Sequence, residues 1–326
     1  MRHSRTAGFV LAAITTALTL VAPAHAAAPT VELQPQRLTR GADVAVPHLE
    51  DGPWGDVFVD GERSVELPGR IARVIGRSGD AWLVGTNNVD VKRNRRVVRV
   101  EADGTVVDVL RNIDPSTVIL SADGSTLAWQ GFSGGGRKVT TYAASAADGA
   151  VLGSKGPGRY VTLLDVDADR AVLSRDGRTF EWRIRTGRTR TIVEKSAGLA
   201  SIEHDLLSFS TKDPYLGGCT KLVRLSAPRM KHWTSCRDRV AAVSPDGTQM
   251  LTFHKLTDGL GPGDIHLRTL DGTRLATYRT NWFSGWDWES PDTLLLDVNG
   301  TRKSSTVRCT LDACENATDP VKASTP

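Results

Sequence analysis

The sequence lacks long apolar runs, long helical patterns and a strong excess of charge of one sign. Beyond residue 22, no stretch approaches the roughly 18 uninterrupted apolar residues that a membrane helix needs. The whole chain carries 41 lysines and arginines against 37 acidic residues. Without Arg2 and Arg5, which we expect to be removed with residues 1–26, the net charge falls to +2. This charge is too small to indicate nucleic acid as a partner.

The N-terminus has the features of a secretory signal peptide. A basic start with Arg2 and Arg5 precedes an apolar run over residues 7–22, and residues 24–26 match an A-x-A cleavage site. We therefore expect cleavage before Ala27 and a secreted protein, either extracellular or associated with the cell wall. The polar, proline-containing residues 27–43 are expected to form a flexible leader.

Strong indications of an enzyme are also missing. The string Gly131-Phe-Ser-Gly-Gly135 matches a G-x-S-x-G nucleophile motif, but it lies in a glycine-rich loop that no helix follows. The acids of residues 165–169 copy the opening of a calcium loop, but Arg170 stands where that loop needs glycine. The histidines are scattered and none forms H-E-x-x-H. The sequence therefore predicts no catalytic residue, no cofactor and no metal ligand, and it favours a protein that is not an enzyme.

Two series of turns recur along the chain with a period near 40 residues. The first includes Ser121-Ala-Asp-Gly124 and Ser244-Pro-Asp-Gly247, and its members follow each other at steps of 36 to 45 residues. The second includes Ala102-Asp-Gly104 and Leu270-Asp-Gly272, with steps of 38 to 45 residues. Between the turns, apolar residues alternate with polar ones, which is typical of strands. Two independent series in step indicate a repeated structural unit.

A repeated unit of four strands and about 40 residues is the signature of a β-propeller blade. Six such units fit residues 71–318, and residues 44–69 resemble a shorter additional blade. We therefore predict an all-β fold, a β-propeller of seven four-stranded antiparallel blades, with six blades as the alternative. A single domain would occupy residues 44–318, and residues 319–326 would form a disordered tail.

The repeats resemble those of WD40-like propellers of the TolB type, in which S-P-D-G is followed by an apolar strand. The matching segments are residues 121–129, 244–253 and 290–296. The resemblance covers most of the mature chain at the level of fold and implies an exported propeller. The extra N-terminal domain of TolB is missing, so the partners of TolB are not implied.

Four cysteines in an exported chain suggest two disulfides. Cys219 and Cys236 lie symmetrically about one turn of the second series, and Cys309 and Cys314 lie symmetrically about another. Each pair would clamp the hairpin between the third and fourth strands of a blade. The alternative is free buried thiols.

The segment NWFSGWDWES concentrates four large aromatics, Trp282, Phe283, Trp286 and Trp288, in a chain with only 6% aromatic residues. It should run from one blade into the next at the mouth of the central channel, where the basic run at 92–96 and other bases would also lie. One interpretation is a binding surface, and the other is that Trp286 and Trp288 pack between blades. The residues predicted to bind at this mouth are Trp282, Phe283, Trp286, Arg137, Lys138, Tyr215, His254 and Lys255.

These features favour a non-catalytic binding or scaffold propeller that contacts a protein or an anionic extracellular or cell-wall polymer, without nucleic acid and without a membrane span. The first alternative is an extracellular carbohydrate-active hydrolase or lyase with carboxylates at the same mouth. The second is a structural domain with a plugged channel.

Overall fold

In residues 27–88 and 95–323, which the computed structural model describes, the chain forms 29 β-strands and three 3-10 helices. The strands make seven sheets arranged as a β-propeller, so the predicted all-β fold with seven blades is confirmed. The expected signal peptide at residues 1–26 lies outside the described residues. Within the described part of the chain, no helix has the length and apolarity needed to cross a bilayer.

The first three blades follow a short N-terminal segment. That segment contains β1 (Thr30–Glu32) and the 3-10 helix η1 (Pro35–Arg37). Blade 1 consists of β2 (His48–Asp51), β3 (Asp56–Asp60) and β4 (Arg63–Glu66). Blade 2 consists of β5 (Ile71–Ser78), β6 (Ala81–Asn87), β7 (Arg96–Val100) and β8 (Val106–Arg111). Blade 3 follows the helix η2 (Pro115–Thr117) and consists of β9 (Ile119–Leu120), β10 (Thr126–Ser133), β11 (Lys138–Ser145) and β12 (Val151–Gly158).

The remaining blades each have four consecutive strands. Blade 4 consists of β13 (Thr162–Val166), β14 (Arg170–Arg175), β15 (Arg178–Arg183) and β16 (Thr189–Val193). Blade 5 consists of β17 (Ala197–Ser201), β18 (Leu206–Ser210), β19 (Thr220–Arg224) and β20 (Lys231–Ser235), with helix η3 (Pro214–Leu216) between its second and third strands. Blade 6 consists of β21 (Asp238–Val243), β22 (Gln249–His254), β23 (Asp264–Thr269) and β24 (Arg274–Arg279). Blade 7 consists of β25 (Trp282–Ser290), β26 (Thr293–Asn299), β27 (Lys303–Thr310) and β28 (Ala313–Asn316), and β29 (Val321–Lys322) pairs with β27.

The antiparallel order of the strands gives the ring two distinct faces. The first strand of a blade lies against the first strand of the next, as β13 does against β17, so first strands surround the axis. Connections from second to third strands, and from each fourth strand into the next blade, emerge on one side, which we call the loop face. The turns between first and second strands, and between third and fourth strands, lie on the opposite side, which we call the turn face.

Blade 1 has three strands, and the missing one is its first strand. The guanidinium of Arg63, just after the β3–β4 turn, donates to the carbonyls of Glu101 and Ala102, which belong to the turn face. At the other end of β4, the amide of Arg70 donates to the carbonyl of Asn87 on the loop face. Strand β2 must then run from the turn face to the loop face, as every second strand does. The innermost position of this blade is therefore without a strand in the described chain.

The repeated S-x-D-G turns are held by their own side chains. In blade 3, the Ser121 hydroxyl donates to the Asp123 carboxylate at 2.5 Å and accepts from the amide of Thr126 at 2.9 Å. Gly124 has a φ of 70°, and a Cβ there would lie 2.5 Å from the Arg77 carbonyl oxygen of the preceding blade. The motif thus closes the turn between first and second strands and lets successive blades approach closely.

Apolar clusters join neighbouring blades at six of the seven interfaces. Each cluster combines residues of two successive blades, from Phe58 and Val84 at the first interface to Leu251 and Phe283 at the sixth. Full burial of such side chains stabilises the fold by about 1.5–3 kcal/mol each. Within the described residues, no apolar cluster joins blade 7 to blade 1.

Both chain ends pack more closely than expected. Strand β1 pairs in parallel with β24, and Leu33 is fully buried against blades 6 and 7. The side-chain amide of Asn316 donates to the carbonyls of Pro35 and Leu38. The expectation of a flexible leader over residues 27–43 is therefore wrong for this stretch, because backbone pairing and an apolar side chain hold it on the ring. The expected disordered tail over 319–326 is likewise contradicted in part, since β29 pairs with β27.

Two disulfides connect the cysteines in the predicted pairs, Cys219–Cys236 and Cys309–Cys314. Each clamps a hairpin of third and fourth strands. The first pair flanks β19 and β20 at their loop-face ends, whereas Cys309 and Cys314 lie directly opposite each other near the turn face. One disulfide therefore lies at each end of the blades.

Candidate functional site on the loop face

Large apolar side chains are exposed mainly on the loop face. Among the described residues, twelve large hydrophobic side chains are exposed, and eight of them lie in loop-face connections or at strand ends beside them. These eight are Trp54, Ile71, Phe132, Tyr160, Tyr215, Leu216, Leu260 and Val321. Exposed aromatic and aliphatic side chains gathered on one side of a protein are typical of an interaction surface.

The aromatic segment NWFSGWDWES divides between the core and the surface. Phe283 is only 1% exposed and belongs to the cluster that joins blades 6 and 7. The ring of Trp286 packs against that of Phe253 at 5.4 Å between centroids, and Trp288 is partly buried against the same cluster. Phe283 was predicted to bind at the mouth, but its side chain is almost fully buried between blades 6 and 7. For Trp286, the structure shows the packing between blades that was the alternative interpretation.

Trp282 is half-buried and lines a cleft of about 770 Å³ between the loops of blades 6 and 7. The exposed side chain of Leu260 also lines the cleft, and Arg302 and Lys322 supply positive charge. Asp258 contributes a carboxylate at the edge. The combination of an indole, an aliphatic wall and two cations suits a ligand with both an apolar part and a negative charge.

The other predicted binding residues belong to separate loop-face connections. Arg137 and Lys138 are exposed beside the glycine-rich loop of blade 3, and Tyr215 is 69% exposed on η3 of blade 5. His254 is exposed, and its Nδ1 accepts from the amide of Leu256. The ammonium of Lys255 donates to the carbonyl of Gly218 in the neighbouring blade. These side chains share one face but do not form a single pocket with Trp282.

Several loop-face bases have no ion-pair partner among the described residues. They are Arg137, Lys138, Arg159, Lys212, Arg302 and Lys322. Of the acids nearby, Asp114 pairs with Arg95 and Asp213 caps the amide of Tyr215, while Asp51, Asp176, Glu194 and Asp258 make no ion pair in the described chain. Lys92 and Arg93 of the predicted basic run lie outside the described residues. The described loop face therefore carries an excess of positive charge.

Four aspartates on the turn face accept hydrogen bonds within their own turns. The Ser121 hydroxyl is the main cause that lowers the pKa of Asp123, and the Ser244 hydroxyl does the same for Asp246. Asp271 and Asp292 have lowered pKa values for the corresponding reason, a hydroxyl of Thr269 or Ser290. Because these carboxylates already accept hydrogen bonds inside the turns, they are poor candidates for catalysis.

Two other carboxyls, those of Asp165 and Asp287, have pKa values above the usual value for aspartate. Burial raises the pKa of Asp165, whose oxygens accept from the amides of Val166 and Ile202, so it links blades 4 and 5. Removal from water raises the pKa of Asp287, and the nearby Asp297 carboxylate adds to the rise. Asp287 and Asp297 lie on the paired strands β25 and β26. No group of three or more metal-ligating side chains occurs within residues 27–88 and 95–323.

Sequence reasoning did not find Leu260, Asp258 or Lys322. Leu260 stands between two glycines, a pattern that predicts a loop but not that the loop lines the same cleft as Trp282. Lys322 lies in the stretch expected to be disordered. Only the pairing of β29 with β27 brings it to the cleft.

Known structures resemble this fold at low sequence identity. The acylaminoacyl peptidase of Pyrococcus horikoshii matches with a TM-score of 0.58 and 11% identity, over 81% of this chain and 47% of that one. An oligogalacturonate lyase matches with a TM-score of 0.52 and 11% identity, over 86% of each chain. TolB from Acinetobacter baumannii matches with a TM-score of 0.44 and 10% identity, over 67% of this chain and 58% of that one.

The comparisons establish the fold and leave activity open. The match covers 47% of the acylaminoacyl peptidase, so this chain spans about half the length of that protein. The fold-level resemblance to WD40-like propellers is confirmed by the seven blades and their repeated turns. No protein-family model matches the sequence, and no curated protein gives a significant match. Because the same fold occurs in a peptidase and in a lyase, fold alone does not give the activity, and function must be argued from the site.

Proposed function

We propose that the protein is a non-catalytic binding propeller whose loop face contacts an acidic partner, with the cleft beside Trp282 as the anchor. The main supporting observation is that most of the exposed large apolar side chains lie on the loop face together with bases that have no ion-pair partner among the described residues, while the turn acids Asp123 and Asp246 on the opposite face accept hydrogen bonds within their own turns. Tryptophan, tyrosine and arginine are the residues that most often dominate binding energy in interfaces.

The chemistry of the face defines the partner. Bases without ion-pair partners attract carboxylates, sulfates or phosphates and accelerate encounter with them. The cleft adds a specific contact, because an apolar group can lie on the Trp282 indole while an acid meets Arg302 or Lys322. A protein with an acidic surface, or an anionic extracellular or cell-wall polymer, fits this description.

The proposed location is outside the cytoplasm. Two disulfides fit an oxidising compartment, and the N-terminal sequence has the pattern of an export signal. Proteolytic maturation before Ala27 can be checked by N-terminal sequencing of the protein recovered from the culture medium of its host.

Partner capture tests the proposal. The purified protein is used as bait against extracellular extract and, in parallel, on a glycan array that includes anionic polymers. We expect the captured partner to be lost with Trp282→Ala and with Arg302→Glu. Met230→Ala removes an exposed apolar side chain from the turn face, and Arg229→Glu reverses an exposed charge there, so both serve as matched controls. Equal loss in the controls would refute the assignment of binding to the loop face.

The rival hypothesis, a carbohydrate-active hydrolase or lyase, has one observation in its favour. Burial raises the pKa of Asp287 and the Asp297 carboxylate lies close to it, and two neighbouring carboxyls can act as acid and base. Turnover of a glycan by the purified protein, abolished in both Asp287→Asn and Asp297→Asn, would replace the binding proposal by this one.

A further inference from the structure

Strand β2 has an unpaired edge where blade 1 lacks its first strand. It pairs with β3 through residues 48–51, and no other described strand pairs with it. Backbone N–H and C=O groups on such an edge can accept an added strand. In the other six blades this position is filled by a first strand of the chain itself.

A cavity of about 550 Å³ lies beside β2, between blade 1 and blade 7. Its walls come from β2, from the loop-face halves of β26 and β27, and from the chain ends near Arg40 and Asp319. The volume is within the range of roughly 300–1,000 Å³ that is typical of ligand pockets. Space is thus available beside the unpaired edge.

No cluster of buried apolar residues joins blades 7 and 1 in the described chain, since the six apolar clusters lie at the other interfaces, and hydrogen bonds link the two blades instead. The guanidinium of Arg308 in β27 donates to the carbonyls of Ala42 and Asp43 and to the carboxylate of Glu289. The amide of Ala45 donates to the same carboxylate at 2.8 Å. These bonds attach the segment that leads into β2, but they leave the edge of β2 uncovered.

The cavity is acidic. Five carboxylates line it, and they belong to Asp43, Glu50, Asp51, Asp297 and Asp319. Arg40 is the arginine among the lining residues, and it is already paired with Asp43 and Asp319. The Nε2 atom of His48 lies 3.3 Å from a carboxylate oxygen of Glu50. A bound segment that carries lysine or arginine would therefore be favoured by charge.

We propose that an extended, basic segment of a partner protein binds between blades 7 and 1 and completes blade 1 as its missing first strand. Backbone pairing with β2 supplies affinity, and Glu50, Asp51 and Asp297 select basic side chains. Four residues of β2 offer about 13 Å of edge at roughly 3.3 Å per residue, enough for a short peptide. This site is independent of the loop-face cleft and its acidic partner.

The probe is an N-acetylated octapeptide of alternating lysine and valine, compared with the same peptide in which glutamate replaces lysine. Binding to the protein from residue 27 onward is measured by calorimetry, and hydrogen exchange reports protection of amides in residues 48–51. We expect binding of the lysine peptide only, with protection centred on β2. The variant carrying Glu50→Lys and Asp51→Lys should bind about tenfold more weakly or worse, the equivalent of about 1.4 kcal/mol.

Two controls separate strand addition from attraction by charge alone. N-methylation of alternate amides in the lysine peptide keeps its charge but removes backbone donors, so we expect it to abolish binding. A variant with Asp80→Lys and Glu203→Lys makes the same charge change on the turn face and should bind normally. Binding that survives N-methylation, protection outside β2, or no binding of the lysine peptide would each overturn the proposal.

Discussion

The loop face and the turn face are built from the same repeats but use charge differently. On the turn face, Asp123 and Asp246 are hydrogen-bonded by the serine two residues earlier and by amides that follow. On the loop face, Arg137, Lys138 and Arg302 have no ion-pair partner among the described residues. The comparison separates charges that stabilise the fold from charges that remain available for a partner.

The disulfides give the largest expected difference between the two faces. Cys219 and Cys236 are separated by 17 residues, and Cys309 and Cys314 by 5. From loop-closure entropy, we expect the Cys219→Ala/Cys236→Ala variant to lose about 3 kcal/mol of unfolding free energy and the Cys309→Ala/Cys314→Ala variant about 2 kcal/mol. Urea unfolding of both variants tests whether the Cys219→Ala/Cys236→Ala variant loses more unfolding free energy than the Cys309→Ala/Cys314→Ala variant. An equal or larger loss at the turn face would show that chain entropy does not govern these bonds.

Removal of a turn aspartate should give the next largest effect. In Asp123→Ala, the nearly buried Ser121 hydroxyl loses its acceptor and the amide of Ser125 loses its partner. We expect a loss of about 1–3 kcal/mol in unfolding free energy. Asp80→Ala is the matched control, because Asp80 occupies the same turn of blade 2 but its side chain is 97% exposed. If both variants are equally stable, the turn hydrogen bonds do not support the fold.

The fold could be predicted because a propeller repeats its local chemistry. Each S-x-D-G turn uses contacts within a few residues, so the sequence shows it directly, and the cysteine pairs follow from hairpin symmetry. The pairing of β1 with β24 could not be predicted in this way, since it joins residues about 247 apart, as the Glu32–Arg279 ion pair also does. Leu33 resembled any isolated apolar residue in a polar stretch.

The candidate site was predictable in composition but not in geometry. The four clustered aromatics of residues 282–288 indicated an important segment, yet alternation along β25 and its bulges decides which side chain is buried. Phe283 points into the core while Trp282 lines the cleft. The cavity at blade 1 also could not be predicted, because a missing strand leaves no motif in a sequence.

Acid should weaken the turn face selectively. Folding lowers the pKa of Asp123 and Asp246, so the stability they contribute is present above the unfolded aspartate value near 3.9 and is lost as pH falls through the folded value. We expect the melting temperature to decline below about pH 4, and this decline to be smaller in Asp123→Asn/Asp246→Asn. Asp165, whose pKa is raised, acts in the opposite direction. A decline of the same size in the variant would exclude these carboxylates as its cause.

Charge reversal on the loop face should have the smallest effect on stability. Arg137→Glu and Lys138→Glu change exposed side chains beside a glycine-rich loop, so we expect the unfolding free energy to stay within about 0.5 kcal/mol of the wild type. Affinity for an acidic partner should fall, and its dependence on salt should weaken, because fewer cations meet the partner. Arg229→Glu on the turn face should change neither quantity. A destabilised Arg137→Glu protein would mean that the loop-face bases support the fold, and the contrast between the two faces would then be lost.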